Sequence, residues 1–182
     1  DRAAVDQELT GHRLSALLKI TGAASPVEAP LIIVTCIQAL MQKTCSPAFL
    51  SSNTISVCVG DELPLNEMEN RLADIGYRFG VEVIEKGEAA IRGGVLDVWP
   101  PTETWPARIE LAGDSVESIR LFDPSDQKSR ETVKSLLIPP AGEFLKNHPE
   151  RSTIIEHMPE HIAIVWSHIE SVTEHASSYR EA

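Results

Sequence analysis

The chain has 182 residues, of which 42% are hydrophobic and 5% aromatic, and its formal net charge is −11. This size and composition predict one globular domain, with or without appendages. The acidic balance argues against a surface for nucleic acid or anionic membrane, since both depend on clustered Lys and Arg. No apolar run is long enough to cross a bilayer. The start, Asp1-Arg2-Ala3, is typical of an excised piece of a longer protein rather than of a signal peptide. Three cysteines without paired spacing favour reduced thiols and therefore a cytoplasmic location.

The first part of the chain, residues 1–53, combines helical and extended patterns. Three leucines share one face of an amphipathic helix predicted over residues 13–20. After an Ala/Pro/Ser-rich connection, residues 31–35 are apolar without alternation, which is typical of a strand covered on both faces in a parallel sheet. Residues 37–42 should form a short helix.

The middle part begins with an alternating strand over residues 54–59. Pro64 suits the first turn of a helix with one apolar stripe, and Gly76 suits its end. The stripe consists of Leu65, Met68, Leu72 and Ile75. Residues 77–84 predict another strand.

Three β-type runs follow, over residues 90–98, 108–112 and 118–122. A Pro-rich loop separates the first run from the second, and a Gly-Asp turn separates the second from the third. This arrangement predicts a meander of antiparallel strands.

Apolar and polar residues alternate in the second and third runs, but in the first run the apolar parity changes from odd to even. One extra residue repairs the phase, so we place a β-bulge at Gly93-Gly94. With that bulge, the charged residues of the meander face solvent together: Arg92, Asp97, Arg108, Glu110 and Arg120. Such a face is either a surface for another protein or simply a solvated sheet face of mixed charge.

The last part of the chain predicts a short helix over residues 152–158, an apolar strand over residues 162–166 and a polar helix over about residues 168–180. Like the first part, it offers one apolar strand and a helix. Neither part alone has enough partners to bury both faces of its strand.

Motifs of catalysis and cofactor binding are absent from the sequence. There is no GxxxxGK[ST] phosphate loop and no GxSxG nucleophile motif. The three cysteines lack CxxC spacing and are expected to be reduced thiols. His157 and His161 are four residues apart, but Pro159 between them spoils the shared helical face that a metal would need. We therefore expect no catalytic site, no cofactor and no metal.

A long segment of the chain resembles the second domain of the bacterial transcription-repair coupling factor (Mfd): GEAAIRGGVLDVWPPTETWPARIELAGDSVESIRLFDPSDQKSRE, residues 87–131. The resemblance extends upstream through LIIVTCIQALMQKTCSPAFL and LADIGYRFGVEVIEKGE, and downstream through IPPAGEF and IIEHMPEHIAIVW. It therefore covers most of the chain. The excision-repair protein UvrB shares this fold, but QALMQ and RLFDP are closer to the coupling factor.

The resemblance implies an α+β fold, with a mainly antiparallel sheet and packed helices. Residues 54–140 would be the UvrA-binding second domain. Residues 1–53 and 141–182 would be pieces of a first domain that flank it, and their two apolar strands should be neighbours in a small parallel α/β remnant. The chain ends would then come back together.

The resemblance also implies a binding site. In the family, two arginines and one aromatic residue of the meander contact UvrA. The arginines fall on Arg92 and Arg108, with Glu110 and Arg120 on the same face. The aromatic falls on Ala112, where parity predicts an outward position beside the arginines. This chain therefore departs from the family pattern at Ala112, as it does where Gly87-Glu88-Ala89 replaces GEF, and both changes remove apolar contact area.

The implied function is that of a non-catalytic interaction fragment that recruits UvrA to stalled RNA polymerase for nucleotide excision repair. The full-length protein would be an ATP-driven DNA translocase that contacts RNA polymerase and DNA through other domains. Two alternatives are the equivalent UvrA-binding domain of a UvrB-like excision protein and an enzyme whose chemistry the motifs do not reveal.

Overall fold

A computed structural model of the protein describes residues 2–23, 31–145 and 150–181. Its helices are α1 (Arg2–Ile20), α2 (Ile37–Met41), α3 (Pro47–Asn53), α4 (Leu65–Asp74), a 3₁₀-helix (Ile154–His157) and α5 (Ile169–Glu181). Its strands are β1 (Lys43–Thr44), β2 (Ile55–Cys58), β3 (Arg78–Phe79), β4 (Glu88–Arg92), β5 (Val95–Val98), β6 (Ala107–Ala112), β7 (Ser115–Phe122), β8 (Ser129–Val133), β9 (Ser135–Ile138) and β10 (Ser152–Thr153).

The main sheet has six strands in the order β3-β4-β5-β6-β7-β8. β3 and β4 are parallel, and each later strand pairs antiparallel with the strand before it. Two further antiparallel pairs, β2–β9 and β1–β10, join segments that are distant in sequence. The predicted α+β class with a mainly antiparallel sheet is confirmed.

The main core lies between one face of this sheet and α4. Leu96, Ile109 and Ile119 are register neighbours on β5, β6 and β7, and each is fully buried. They belong to the same apolar cluster as Met68 and Leu72 of α4. Because side chains alternate along each strand, this burial leaves the other face of the sheet for the charged residues.

The boundaries of α4 follow the sequence signals. Pro64 precedes its first residue, and Gly76 follows the helix with φ +95°, a left-handed conformation that glycine adopts at little cost. Beyond the helix, the buried Tyr77 hydroxyl donates a hydrogen bond of 2.9 Å to the Pro139 carbonyl. Burial raises the pKa of this tyrosine well above its ordinary value.

Gly93-Gly94 is a turn and not the predicted bulge. Arg92 pairs with Val95, so the two glycines form the two-residue loop of the β4–β5 hairpin, and Gly93 has φ +59°. The chain reverses here, which explains the change of apolar parity without an extra residue. A register shift does occur, between Glu110 and Leu111 in the β6–β7 pair.

A second apolar cluster joins α1 to the segment from β1 to α3. It contains the leucines predicted to share one helical face, and its buried members are Leu14, Leu17, Leu18, Cys45, Phe49 and Leu50. Burial raises the pKa of the Cys45 thiol to about 12. The helix that carries the leucines is longer than predicted, since α1 begins at Arg2.

An ion pair links α1 to the chain that follows the main sheet. Arg13 donates hydrogen bonds from Nε to Glu143 Oε1 at 2.5 Å and from Nη2 to Glu143 Oε2 at 3.1 Å. The same guanidinium bonds Gln42 Oε1 at 2.6 Å and the Lys43 carbonyl at 2.7 Å. These bonds tie the first and last parts of the chain together; the domain boundaries at residues 53 and 140 stay a prediction.

The two predicted apolar strands are not strands in the structure. Residues 31–35 and 162–166 have irregular backbone and pair with no strand of the described chain. Their apolar side chains are largely exposed, with Val34 at 93% and Val165 at 89%. A parallel pair of this kind is stable when neighbours and helices cover both faces, and two short segments do not supply that cover. The helices that follow these segments, α2 and α5, do contact each other.

The remaining elements agree with their predictions in part. The strand predicted over residues 77–84 is shorter, because β3 ends at Phe79 and the Glu88 carboxylate accepts hydrogen bonds from the backbone N–H groups of Ile84 and Glu85, each at 3.0 Å. Where the sequence predicted a helix over residues 152–158, the structure has the two-residue strand β10 followed by the 3₁₀-helix Ile154–His157. Among the described residues, no helix is both long and apolar enough to cross a membrane.

Candidate functional site

The outer face of the main sheet, opposite the core, carries the charged residues that the sequence placed together. Asp97 on β5 pairs with Arg108 on β6, which in turn pairs with Arg120 on β7. Arg92 ends β4, and its register partner Val95 lies opposite Glu110. These five residues, Arg92, Asp97, Arg108, Glu110 and Arg120, are called the arginine face below.

Asp97 lies at the centre of the arginine face and is buried, with 1% of its surface exposed. Arg108 donates from Nε to Asp97 Oδ1 at 2.8 Å and from Nη2 to Oδ2 at 2.7 Å. Arg92 adds a third bond, from Nη2 to Oδ2 at 2.9 Å. The prediction that Asp97 faces solvent is therefore wrong, because two long side chains from neighbouring strands cover this short one. A carboxylate is tolerated in such a place when it is paired and hydrogen-bonded.

Arg108 is held on several sides. Besides its two bonds to Asp97, its Nη2 donates to Gln127 Oε1 at 2.9 Å, and its guanidinium carbon lies 4.6 Å from the centre of the Phe122 ring. Hydrogen bonding to Asp97 raises the pKa of this arginine above its ordinary value. Its side chain is 23% exposed. Arg108 is thus a fixed cation with a limited surface.

Arg92 is the more accessible of the two arginines, with 50% of its side chain exposed. Its bond to Asp97 uses Nη2, and in the part of the chain that the structure describes no acceptor faces Nε or Nη1. The side chain projects from the last residue of β4, directly before the hairpin turn. It therefore offers unused donors to an approaching molecule.

A second ion pair borders these residues on the same face. Arg120 Nη2 donates to Glu110 Oε1, and Ser118 Oγ donates to Glu110 Oε2 at 2.8 Å. The Arg120 and Glu110 side chains are 37% and 36% exposed. Here one carboxylate neutralises one guanidinium, whereas Asp97 is shared by two. The arginine face therefore carries one more positive than negative charge, on a chain whose net charge is −11.

Ala112 is exposed, as predicted, and lies at the end of β6 beside the β6–β7 turn. It pairs with Ser115 across that turn. It lies four positions after Arg108, so at the usual rise per residue the two are about 13 Å apart along the strand. Ala112 is thus on the rim of the arginine face and not directly beside the two arginines.

Comparisons with known proteins identify this region. Residues 55–144 match the model of the family described as the UvrB interaction domain. The chain carries a UvrB interaction domain. The chain is 36% identical to the transcription-repair-coupling factor of Haemophilus influenzae over 138 residues, which are 76% of the chain. The chain is 31% identical to the transcription-repair-coupling factor of Bacillus subtilis over 161 residues, which are 88% of the chain.

A UvrABC system protein B, from Kosmotoga olearia, is 27% identical to the chain over 141 residues, which is 78% of the chain and 21% of that protein. The chain spans 12% and 13% of the length of the two coupling factors. The sequence resemblance to the coupling factor and UvrB is confirmed. The matched residues include the whole arginine face.

Two residues that shape the arginine face of the UvrB interaction domain were missed in the sequence. Phe122 lies two residues after Arg120 and therefore on the same face of β7, so the sequence could have predicted an aromatic ring that packs against an arginine there. Gln127 lies five residues further on, in a turn where its φ is +60°, and no local pattern connects it to Arg108. The central position of Asp97 was also missed, because its burial depends on side chains of two other strands.

Other places in the molecule offer less. Over residues 2–23, 31–145 and 150–181, no group of three or more His, Cys, Asp or Glu side chains could hold a metal ion. A cavity of about 510 Å³ lies beside the Arg13–Glu143 pair, with Leu9, Phe144 and Tyr179 among its lining residues. Arg13 and Glu143 at this cavity already bond each other. The arginine face of the interaction domain is the best candidate site.

Proposed function

We propose that the UvrB interaction domain of this chain binds UvrA through its arginine face, and that the chain is a non-catalytic fragment of a transcription-repair coupling factor. The observation that supports this most directly is the half-exposed Arg92 beside the fixed Arg108, both bonded to the buried Asp97. Guanidinium groups are strong partners for carboxylates, and arginines recur among the residues that dominate protein interfaces.

The charge of the molecule favours a protein partner over nucleic acid. The arginine face is a small positive region on a chain with a net charge of −11. Binding to phosphate backbones depends on many basic groups acting together. A few oriented guanidinium groups are better suited to specific carboxylates on a protein surface, where geometry gives selectivity.

The wider role belongs to the full-length protein. The relatives are named transcription-repair-coupling factors, which links the full-length protein to transcription and repair. On that basis we propose that it recruits UvrA to stalled RNA polymerase for nucleotide excision repair. Contacts with RNA polymerase and DNA, and ATP-driven movement along DNA, would come from parts of the protein outside this chain. Such work takes place where bacterial DNA lies, so we expect a cytoplasmic location.

A second candidate is the equivalent UvrA-binding domain of a UvrB-like excision protein. The 27% identity to the UvrABC system protein B of Kosmotoga olearia favours it. The higher identities to coupling factors, and the QALMQ and RLFDP segments, make it the weaker of the two. Sequencing the complete gene decides between them, since the two parent proteins differ in their remaining domains.

The test is calorimetric titration of the 182-residue chain with UvrA from the same organism. We expect a measurable, one-site interaction that the double variant Arg92→Ala/Arg108→Ala weakens at least about tenfold. Arg71→Ala is the matched control, because Arg71 is an exposed arginine on α4, on the opposite side of the sheet. Unaltered affinity in the double variant would contradict the proposed site.

A further inference from the structure

We infer that Asp97 is the positioning residue of the arginine face: it holds Arg92 and Arg108 so that a carboxylate of the partner binds across Arg92. This inference rests on the proposed function and adds the residue that prepares the site. With 1% of its surface exposed, Asp97 is too buried to touch a partner itself. It acts through the two arginines that cover it.

Both carboxylate oxygens of Asp97 are used to orient the arginines. Arg108 bonds Oδ1 through Nε and Oδ2 through Nη2, which fixes the plane of its guanidinium. Arg92 bonds Oδ2 as well, so the two cations share one acceptor atom. Free arginine side chains lose rotamer entropy when they are fixed. Asp97 fixes them before the partner arrives, so less of this loss remains to oppose association.

The remaining donors show where the partner would bind. Arg108 is further held by Gln127 Oε1 and lies over Phe122, and its side chain is 23% exposed. Arg92 is 50% exposed, and in the described chain its Nε and Nη1 groups have no acceptor. A partner carboxylate can therefore accept from Arg92 while the nearby positive charge of Arg108 strengthens the contact. Arg108 contributes mainly as a fixed charge, because Nη1 is its one nitrogen without an acceptor in the described chain. Arg92, with two such nitrogens, contributes most of the new hydrogen bonds.

Replacing Asp97 by asparagine separates positioning from simple charge attraction, because the two effects have opposite signs. Asp97→Asn removes one negative charge beside two arginines, so charge attraction alone predicts tighter binding of a carboxylate-bearing partner. Positioning predicts weaker binding, since the neutral amide has one acceptor oxygen in place of two and its NH₂ group faces a guanidinium.

The matched control is Glu143→Gln. Glu143 is also buried, at 5% exposure, and also binds an arginine through both oxygens, but at α1 and away from the arginine face. Both variants change the net charge by the same amount and remove a carboxylate from a buried ion pair. Glu143→Gln therefore reports any loss of affinity that comes from lowered stability alone.

The experiment measures UvrA affinity by calorimetry for the unaltered chain, Asp97→Asn and Glu143→Gln, below the unfolding temperature of each. We expect Asp97→Asn to weaken binding about tenfold, the scale of hydrogen bonds to charged groups, and Glu143→Gln to stay within about twofold. In a background that carries Arg92→Ala and Arg108→Ala, Asp97→Asn should have no further effect, because the residues through which it acts are gone.

A spectroscopic signature tests the positioning without the partner. The Nε–H proton of Arg108, bonded to Asp97, should give a resolved ¹⁵N-correlated signal that exchanges slowly with water. Asp97→Asn should shift this signal and speed its exchange, whereas Glu143→Gln should leave it unchanged.

Affinity that is equal or higher in Asp97→Asn overturns this inference while the proposed function stands. A loss of affinity that persists without the two arginines, or an Arg108 signal that does not respond, overturns it as well. Failure of the unaltered chain to bind UvrA is a distinct result, since it overturns the proposed function and this inference with it.

Discussion

Two buried carboxylates in this protein, Asp97 and Glu143, are each bonded by arginine. They differ in whether those arginines keep N–H donors that have no acceptor within the chain. Glu143 binds Arg13 alone, and every guanidinium nitrogen of Arg13 has an acceptor, since Nη1 bonds Gln42 and Nη2 also bonds the Lys43 carbonyl. Asp97 binds two arginines, one of which is half exposed. The first cluster is complete within the chain. The second has donors left over.

The comparison shows that a buried ion pair does not by itself mark either a structural tie or a binding site. Desolvation of the charges is offset in both clusters by hydrogen bonds of similar length. The difference lies in the donors that remain without an acceptor, and in whether solvent can reach them. This criterion assigns Arg13 to stability and Arg92 to binding, and substitutions at each cluster test that division.

The largest effect is expected for Arg13→Ala. It leaves the Glu143 carboxylate buried without its partner, and removing one member of such a pair destabilises a protein by about 3 kcal/mol or more. Urea unfolding should show this loss relative to Arg71→Ala, an exposed arginine whose removal should change stability by at most about 0.5 kcal/mol. Affinity for UvrA should not change. A large loss of affinity with intact folding would remove the distinction between the two clusters.

Arg108→Ala should affect both properties. Asp97 keeps its bond to Arg92 but loses two of its three hydrogen bonds, so we expect the free energy of unfolding to fall by about 2 kcal/mol. Binding of UvrA should weaken as well, because a fixed positive charge is lost from the face. The two effects are measured separately, by urea unfolding and by calorimetry without urea at a temperature where the variant is folded. Unchanged stability would mean that Asp97 does not depend on Arg108.

Arg92→Ala should act mainly on binding. Its side chain is half exposed and its single bond to Asp97 is supported by those of Arg108, so stability should fall by less than about 1 kcal/mol. Binding of UvrA should weaken by roughly 1.5–2 kcal/mol, the lower part of the range for hydrogen bonds to charged groups. Calorimetry and urea unfolding of the same preparation give both numbers. A larger change in stability than in affinity would reverse the roles assigned to the two arginines.

Ala112→Phe should tighten binding without changing the fold. Ala112 is exposed at the rim of the face, so the ring would project into solvent and add apolar contact area. With a UvrA whose own coupling factor carries the aromatic, we expect a gain of about 1 kcal/mol from the area covered. Surface plasmon resonance can measure this gain in affinity, with Ala112→Ser as a control that adds little contact area. Unfolding of the variant would show that the position belongs to the core.

The smallest effect concerns another arginine–carboxylate pair, between Asp123 and Arg130, which lies at the surface. Hydrogen bonds from Ser125, and then from Arg130, lower the pKa of Asp123 from 3.8 to about 2. A carboxyl whose pKa is lower in the folded state stabilises the fold above its ordinary pKa and loses this contribution as the pH falls towards the folded value. Asp123→Asn should therefore flatten the dependence of the melting temperature on pH below about 4, and leave UvrA affinity at neutral pH unchanged.

The elements with regular local patterns could be predicted from the sequence. The stripe and end signals of α4 gave both of its boundaries within two residues, and alternation placed Arg108, Glu110 and Arg120 on one face. Periodicity could not separate a bulge from a turn at Gly93-Gly94, because both change the apolar parity of the next strand residues. It also could not show that residues 31–35 and 162–166 would lack strand pairing, since strand formation depends on neighbours that a local pattern does not contain.

The centre of the candidate site was beyond a local pattern for a related reason. The position of Asp97 on the outer face followed from alternation, but its burial depends on Arg92 and Arg108 bending over it from two other strands. Gln127 reaches Arg108 from a turn nineteen residues further along the chain. The roles of Arg92, Arg108, Ala112, Glu110 and Arg120 in binding UvrA remain predictions that the variants above test.

The β2–β9 pair has a mechanical consequence. The chain enters the domain along β2 and leaves it along β9, and Ile55 pairs with Ile138 at the end where both flanks emerge. Tension applied between the two flanks would pull this antiparallel ladder apart like a zipper, with its hydrogen bonds loaded one after another and not all at once. Two hydrogen bonds of 2.9 Å lie beside the Ile55–Ile138 end of the pair: the Ala141 N–H donates to the Ile75 carbonyl, and the Tyr77 hydroxyl donates to the Pro139 carbonyl. The pulling force would act on these two bonds first. A pulling force on the flanking chain would therefore separate β2 from β9 at low force, before it disturbed the six-stranded sheet that carries the arginine face.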